Sequence, residues 1–356
     1  MPIHDSLVSA LSSVVGSLFT RIGEVKDLLD TFKGVEFFEL RTTPKSPPIV
    51  AAGDSSWALK SYAMFLVYAA QSAAIRVSPG KTSSTECLVD ADAGYFIPSL
   101  RVSDVTADEV VMRSVQFISK RLEVSALVRV SEGADVSLFD GSLFSFLWYS
   151  KFPEIPRSLK SFKDRPSRFR DIWREVVRGV KSIVATGATP LFIAKSIRRS
   201  YYTDRVSSPE LLEKLGDRVN DLVLIELMKR IGRLPKKALL LEPVYIYSFK
   251  EMPRPLNSLD QEDRSFLEPL MPITVTYVVF SPPAQAFQVT MPGKWSPEEL
   301  VEVLSELYPY SHTGYPDPLK LAHNLSKISG RELRYLLLKL GFSSIPTGRE
   351  LLGEVV

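Results

Sequence analysis

The feature that most constrains this chain is a short design that occurs twice. Ala134-Asp135-Val136-Ser137-Leu138-Phe139-Asp140-Gly141-Ser142-Leu143 sets β-branched and apolar residues ahead of an aspartate and closes at once on a Gly-Ser turn signal. This predicts a buried strand ending at Asp140. Pro48-Ile49-Val50-Ala51-Ala52-Gly53-Asp54-Ser55-Ser56 follows the same plan, which predicts a second strand ending at Asp54. In open α/β sheets, ligands and chemistry collect beyond strand ends, where loops are free to vary while the strand fixes the side chain. Two such strands would bring two carboxylates to one sheet edge. An Asp before Gly or Ser also serves ordinary turns by accepting a backbone N–H two residues on. Each Asp taken alone fits that use better, so the pair gains weight only from further residues.

Composition narrows the chemistry. The 356 residues, 45% hydrophobic and 24% charged, make one large or two medium globular domains with a sizeable core. Cys87 is the single cysteine, which excludes an intramolecular disulfide framework and a Cys-rich zinc site and fits a reducing, cytoplasmic setting. With only His4, His312 and His323, a metal site must be built mainly from carboxylates, and oxygen-rich sites suit Mg²⁺ or Mn²⁺ better than zinc. No run reaches the roughly 18 apolar residues of a membrane span. Net charge is +3, yet Arg157 to Arg205 holds thirteen Lys or Arg against four acids, leaving the remainder of the chain negative. A basic, arginine-rich segment facing an acidic site is what a protein needs to hold a polyanion beside metal ions. A solvated helix face is the plainer alternative.

Along the chain, Leu7, Leu11, Val14, Leu18, Ile22, Val25, Leu29 and Phe32 recur at spacings of three and four. They predict one long amphipathic helix within residues 1–33, packed either on its own domain or on another subunit. Its charged interruptions and its non-basic start argue against a signal peptide. Residues 41–48 read as a linker. Tyr62 to Val77 predicts one or two strands pairing with the Asp54 strand, and Thr82 to Asp92 either a strand or a loop. Asp104 or Thr106 would cap a helix running to about Val130, with Val111, Val115, Ile118, Leu122 and Ala126 as its apolar stripe. Glu123 lies one step round from that stripe, at the edge of the core. Phe144, Phe146, Trp148, Tyr149 and Phe152 precede the basic residues, and such aromatics either stack bases over a phosphate-tracking groove or simply fill the core.

Further on, helices are predicted over 168–185 and 209–231, and strands over 190–194 and 244–249. A Pro-rich loop over 251–272 is long enough to be a lid or to wrap a partner. A hairpin over 273–291 turns at Pro282-Pro283. Strands interrupted by helices imply a mixed α/β sheet. In Thr313-Gly314-Tyr315-Pro316-Asp317-Pro318-Leu319-Lys320-Leu321-Ala322-His323-Asn324, Asp317 is expected to cap a helix whose core face carries Leu321, Leu325 and Ile328, with His323 beside that face.

These motifs together resemble the NurA nuclease family, from about Val35 to Leu340. The resemblance rests on Asp54-Ser55-Ser56, on Leu122-Glu123 ahead of Asp140-Gly141-Ser142, and on Tyr315 to His323. It implies an α/β, RNase H-like mixed sheet flanked by helices over residues 34–345, with residues 157–235 as a basic, mainly helical insertion and 346–356 as a tail. It further implies a Mn²⁺ (or Mg²⁺) dependent 5′ to 3′ exonuclease and single-strand endonuclease. Such an enzyme works as a homodimer with the hexameric HerA translocase in DNA-end resection. By the same resemblance, Asp54, Glu123 and Asp140 hold the metal, and Tyr315 and His323 complete the site. Ser55 stands where the family often has Gly, a residue freer in a turn. Charge alone nominates Lys195, Arg198 and Arg199, with Arg168 and Arg170, for contacts to the DNA backbone. The rival expectations are a catalytically idle DNA-binding subunit of an ATPase and a junction-resolvase-like nuclease.

Overall fold

The computed structural model of the chain describes residues 35–43, 47–62, 65–79, 86–97, 104–147 (backbone alone for 104–110), 159–161, 169–195, 200–203, 220–230 and 232–342. In chain order its first strands are β1 (Phe37–Glu39), β2 (Val50–Ser61), β3 (Leu66–Val77) and β4 (Glu86–Phe96), followed by helix α1 (Asp104–Val130). Next come β5 (Val136–Asp140), the short helix α2 (Leu143–Phe146), β6 (Leu159–Ser161), α3 (Phe169–Ala185), β7 (Thr189–Ala194) and α4 (Asp221–Arg230). The remainder is β8 (Leu239–Leu241), β9 (Val244–Ile246), α5 (Gln261–Leu267), β10 (Ile273–Val279), β11 (Phe287–Pro292), α6 (Pro297–Glu306), α7 (Asp317–Ser326) and α8 (Gly330–Lys339).

Among the described residues the strands form one mixed sheet in the order β1-β8-β10-β11-β7-β5-β2-β3-β4-β6, with β9 on β10. β2, β3 and β4 make an antiparallel meander, β5 runs parallel to β2, and β7 runs parallel to β5. The sub-order β4-β3-β2-β5-β7 is the arrangement of an RNase H-like sheet. Central strands of such a sheet are covered on both faces and so are apolar without alternation. Val50-Ala51-Ala52 shows this. Ala51 joins the core beneath α1 and α3, while Val50 and Ala52 join the opposite core beneath α6 and α7. The basic segment contributes β7 to the middle of this sheet and α3 to its cover.

α1 packs on β2, β3 and β4 and is crossed by α3. Its expected stripe is buried; Val124 is buried as well because α3 packs on it at Gly179, and Leu127 and Val130 are also buried. The approach of α1 to β2 is close at Gly53, where an added Cβ would lie 3.2 Å from Leu127 Cβ. Glu123, one turn before Leu127, is thereby brought level with Ser55.

Several expectations are corrected, and others left open between two alternatives are decided. β2 does not end at Asp54 but runs on to Ser61, paired with β3 throughout. Ser55 therefore sits in regular strand rather than in a turn, and no described non-glycine residue has positive φ. The polar stretch between Thr82 and Asp92 becomes β4 from Glu86, because pairing with β3 overrides its composition. Phe144 and Phe146 are core, with Phe139 and Phe192 stacked 4.1 Å apart and Phe146 set edge-on to both. Trp148, Tyr149 and Phe152 lie outside the described residues, as do the N-terminal helix and the 209–219 part of the predicted 209–231 helix.

The Pro-rich loop is packed down by Met252, Leu256, Leu259, Leu267 and Leu270. In α7 the cap position is Pro316, and the Asp317 carboxylate instead binds His312 and Lys320. Leu321 and Leu325 are exposed, and the buried face is Pro318, Leu319, Ala322 and Ser326. Toward its end that face carries the small residues Ala322 and Ser326, because the helix end rests directly on β2, where Ser56 Oγ donates to the Ser326 carbonyl at 2.6 Å.

Strand propensity favours Val over Gly at position 53, whereas the contact with Leu127 opposes it. Gly53→Val is expected to lower stability by about 1–3 kcal/mol, the scale of overpacking. Urea unfolding of the variant checks this, and an unchanged midpoint would contradict the close approach.

Candidate metal centre

The site forms where two neighbouring strands differ in length. β5 pairs with β2 only as far as Gly53↔Phe139, and β5 stops at Asp140 while β2 continues. From Asp54 onward this flank of β2 is open, and side chains from both faces of the sheet reach the notch. The turn that ends β5 needs a glycine, since Gly141 has φ 137°. Its N–H donates to the Ile193 carbonyl, and Ser142 caps α2, so the Asp140 side chain leaves a rigid corner.

Consecutive residues of β2 serve three tasks. Asp54 Oδ2 accepts a hydrogen bond from His323 Nδ1 at 2.7 Å, and Ser326 Oγ lies 3.3 Å from the same oxygen. Ser55 turns to the other face and donates to Glu123 Oε2 at 2.7 Å. Ser56 turns back and fixes the end of α7, accepting from the Ile328 N–H and donating to the Ser326 carbonyl. The strand period of two decides which helix each side chain meets.

The ligand atoms of Asp54, Asp140 and His323 all lie within 4.8 Å of one another. Glu123 stands beside them, only 3% exposed, and its Oε1 accepts no hydrogen bond from the described residues. Burial raises the Asp54 pKa, with the Asp140 charge adding to the rise and His323 opposing it. Burial raises that of Glu123 well above the usual range, and Asp54 and Asp140 add to it. Lys195 follows β7, and its Nζ donates to Asp140 Oδ2 at 2.6 Å while standing 4.3 Å from the Tyr315 ring centre. The Tyr315 hydroxyl is buried near Asp140 without a hydrogen bond of good geometry, and burial followed by the surrounding carboxylates raises its pKa. It therefore stays a protonated donor at neutral pH. Lys120, one turn before Glu123, is half-buried with its ammonium on the Ser145 carbonyl and near the Phe146 ring, and desolvation lowers its pKa to about 8.

The residues present fit a divalent cation. The raised pKa values of Asp54 and Glu123 and the orphaned Glu123 oxygen mark negative charge that a cation would compensate, and an imidazole stands in reach as a further ligand. Two Asp oxygens and one His nitrogen with a third carboxylate alongside suit Mn²⁺ or Mg²⁺.

Of the residues expected at the site, Asp54, Glu123, Asp140, Tyr315 and His323 converge here, and Lys195 borders it. Arg170 is instead engaged with Asp260, Glu262 and Asp263, together with Arg174, and pins α5 onto α3. Arg168, Arg198 and Arg199 lie outside the described residues. Sequence reasoning missed the roles of Ser55, Ser56, Ser326 and Lys120. The two serines after Asp54 carried a signal, since in a continuing strand they must face opposite helices.

A carboxyl whose folded pKa is raised weakens the fold as pH climbs from its unfolded value, about 4.3 for Glu, through the folded value. Glu123→Gln keeps an acceptor for Ser55 and removes this charge. In metal-free protein the variant is expected to have a higher Tm than the parent at neutral pH, with the gap closing toward pH 4. Thermal melts across that range check it, and a less stable variant at pH 7 would mean that attraction to Lys120 outweighs the burial.

A model of the NurA domain matches residues 48–328. Among curated proteins, an uncharacterized protein of Methanocaldococcus jannaschii is 41% identical over 98 residues, a stretch amounting to 24% of this chain and 23% of that protein. The match thus spans less than a quarter of that relative's length. Among solved structures, the NurA nuclease from Sulfolobus solfataricus has TM-score 0.63 at 18% identity, with 95% of each chain covered. A NurA bound to dAMP and manganese has TM-score 0.56 at 13% identity, covering 98% of this chain and all of the other. The domain match takes in β2, α1, β5 and α7, all the elements that carry the candidate ligands, and the chain belongs to the NurA family.

Proposed function

We propose that this chain is a metal-dependent DNA nuclease that hydrolyses phosphodiester bonds at the notch beside β5. The observation that carries the reading is the convergence of Asp54, Asp140 and His323 within 4.8 Å, with the buried carboxylate of Glu123 alongside. The manganese and dAMP bound to a NurA of similar fold support both the cation and the class of substrate. Asp54, Asp140, Glu123 and His323 would hold the cation, which supplies charge compensation at phosphorus and a lowered pKa for water.

The chain's own groups do the rest. Ser55 holds Glu123 Oε2, which leaves Glu123 Oε1 as the atom that would face the cation and the water beside it. The neutral Tyr315 hydroxyl donates to a non-bridging phosphate oxygen. The Lys195 ammonium, held between Asp140 and the Tyr315 ring, offsets charge on the same phosphate. The water oxygen bonds to phosphorus as the bond to the leaving oxygen breaks; one water proton passes to solvent and the leaving oxygen takes one from solvent, giving a phosphate monoester and a hydroxyl. The finer reading is 5′ to 3′ exonuclease and single-strand endonuclease activity, performed by a homodimer with a HerA-type hexameric ATPase during end resection. Residues 1–33, with their apolar stripe, would serve either the dimer or that partner.

Asp54→Ala and Asp140→Ala are each expected to lower Mn²⁺-dependent cleavage of end-labelled single-stranded DNA by about 10³-fold or more, the scale of losing several kcal/mol of charge stabilisation. Circular dichroism should stay unchanged. Cleavage at the parental rate in either variant would defeat the assignment, and an inert parent protein would favour the idle-subunit reading.

A further inference from the structure

The sheet edge that carries the site continues well past it. Strand register sets the row from Asp140 to Ile193 on β7, from Ala194 to Gln288 on β11, from Phe287 to Val278 on β10, and from Val279 to Leu239 on β8. At the far end of this row a crevice of about 330 Å³ opens between the start of β8 and the turn that joins β10 to β11. Leu234, Leu239, Pro282 and Pro283 are among its apolar lining, and Lys229 and Lys236 are the cations that line it. That volume is at the small end of ligand sites, room for a single nucleotide-sized group.

Two further observations bear on its occupant. The turn at 281–285 is shared with the metal centre, since Gly314, next to Tyr315, packs so tightly on it that an added Cβ would lie 2.1 Å from Ala284 Cβ. Lys229 grips the same turn from the crevice side through the Ala284 carbonyl. Lys229 and Arg230 in the last turn of α4, with Arg233, Lys236 and Lys237 shortly after it, give this stretch of sequence five cations and no acid. Lys229 and Lys237 are matched by Glu226 and Glu39, whereas Lys236 projects to solvent at the rim.

We infer that this crevice binds one nucleotide of a DNA strand whose scissile phosphate lies at the metal centre, with the base against Pro282, Pro283 and Leu234 and the phosphate on Lys236. The inference rests on the nuclease reading for its substrate. Apolar walls remove the face of a base from water, and a lysine at the rim neutralises a phosphate and releases its counterion. The crevice lies three to four strand spacings from Asp140, roughly 14–19 Å at about 4.8 Å each. That separation corresponds to about four to six nucleotides at the 3.4 Å rise of a duplex strand.

The test compares full-length parent, Lys236→Glu and Lys236→Arg by fluorescence anisotropy in chelator, with labelled oligothymidylates of three and twelve nucleotides. Their cleavage in Mn²⁺ is followed in parallel. Lys236→Glu is expected to weaken binding of the twelve-mer roughly three- to tenfold, to reduce its salt slope by about one, and to leave the three-mer unchanged. Lys236→Arg should restore the parental affinity. Equal affinity of parent and Lys236→Glu for the twelve-mer, or an equal loss for both lengths, would overturn the crevice whether or not the DNA is cut. The length-dependent loss without cleavage by any form would uphold the crevice and refute the nuclease reading.

Discussion

The structure depends on an electrostatic conflict confined to one notch. Asp54, Glu123 and Asp140 are drawn together by the fold although burial and the neighbouring carboxylates oppose the ionisation of Asp54 and Glu123. Two lysines and an imidazole surround them, yet the Glu123 oxygen remains without a partner among the described residues. Such an arrangement costs stability in the absence of a cation and gains it back on cation binding. Everything nearby serves to keep the carboxylates from relaxing apart. The Gly53 contact sets the height of α1, the Gly141 corner aims Asp140, and the Ser56 and Ser326 pair fixes α7. Rigid strands and helices, rather than loops, carry the ligands, which is how a site keeps a geometry its charges resist.

Much of this is legible in the sequence. The apolar runs ahead of Asp140 and Asp54 identify central strands, the stripe from Val111 to Ala126 identifies α1, and the ordered motifs point to the family. What escapes sequence reasoning does so for physical reasons. The length of β2 depends on pairing with β3, a long-range property invisible in the Ser-rich stretch after Asp54. Glu123 reads as an ordinary edge residue until α1 is seen pressed on Gly53. In α7 the leucines suggest the wrong buried face, because close contact with β2 demands Ala322 and Ser326 there and leaves Leu321 and Leu325 outside.

Charge is the weaker guide. The arginine-rich segment suggests a polyanion, yet Arg170 and Arg174 are engaged in holding α5 to α3 and support the fold. The shorter run from Lys229 to Lys237 is inconspicuous in sequence, since it is modest in size and lies far along the chain from the acids. Register along the sheet edge is what connects it to them. Net charge over a segment thus says less than the edge of the sheet on which its residues emerge.

The central claim is that these carboxylates are assembled for a divalent cation. The most direct measurement is calorimetric titration of the full chain with Mn²⁺ near pH 6 in two buffers of different ionisation enthalpy, repeated with Asp54→Asn. Saturable binding accompanied by proton release in the parent, and lost in the variant, is the result expected of buried carboxyls that must ionise to hold the ion. Absence of saturable binding, or binding that Asp54→Asn leaves intact, would contradict it.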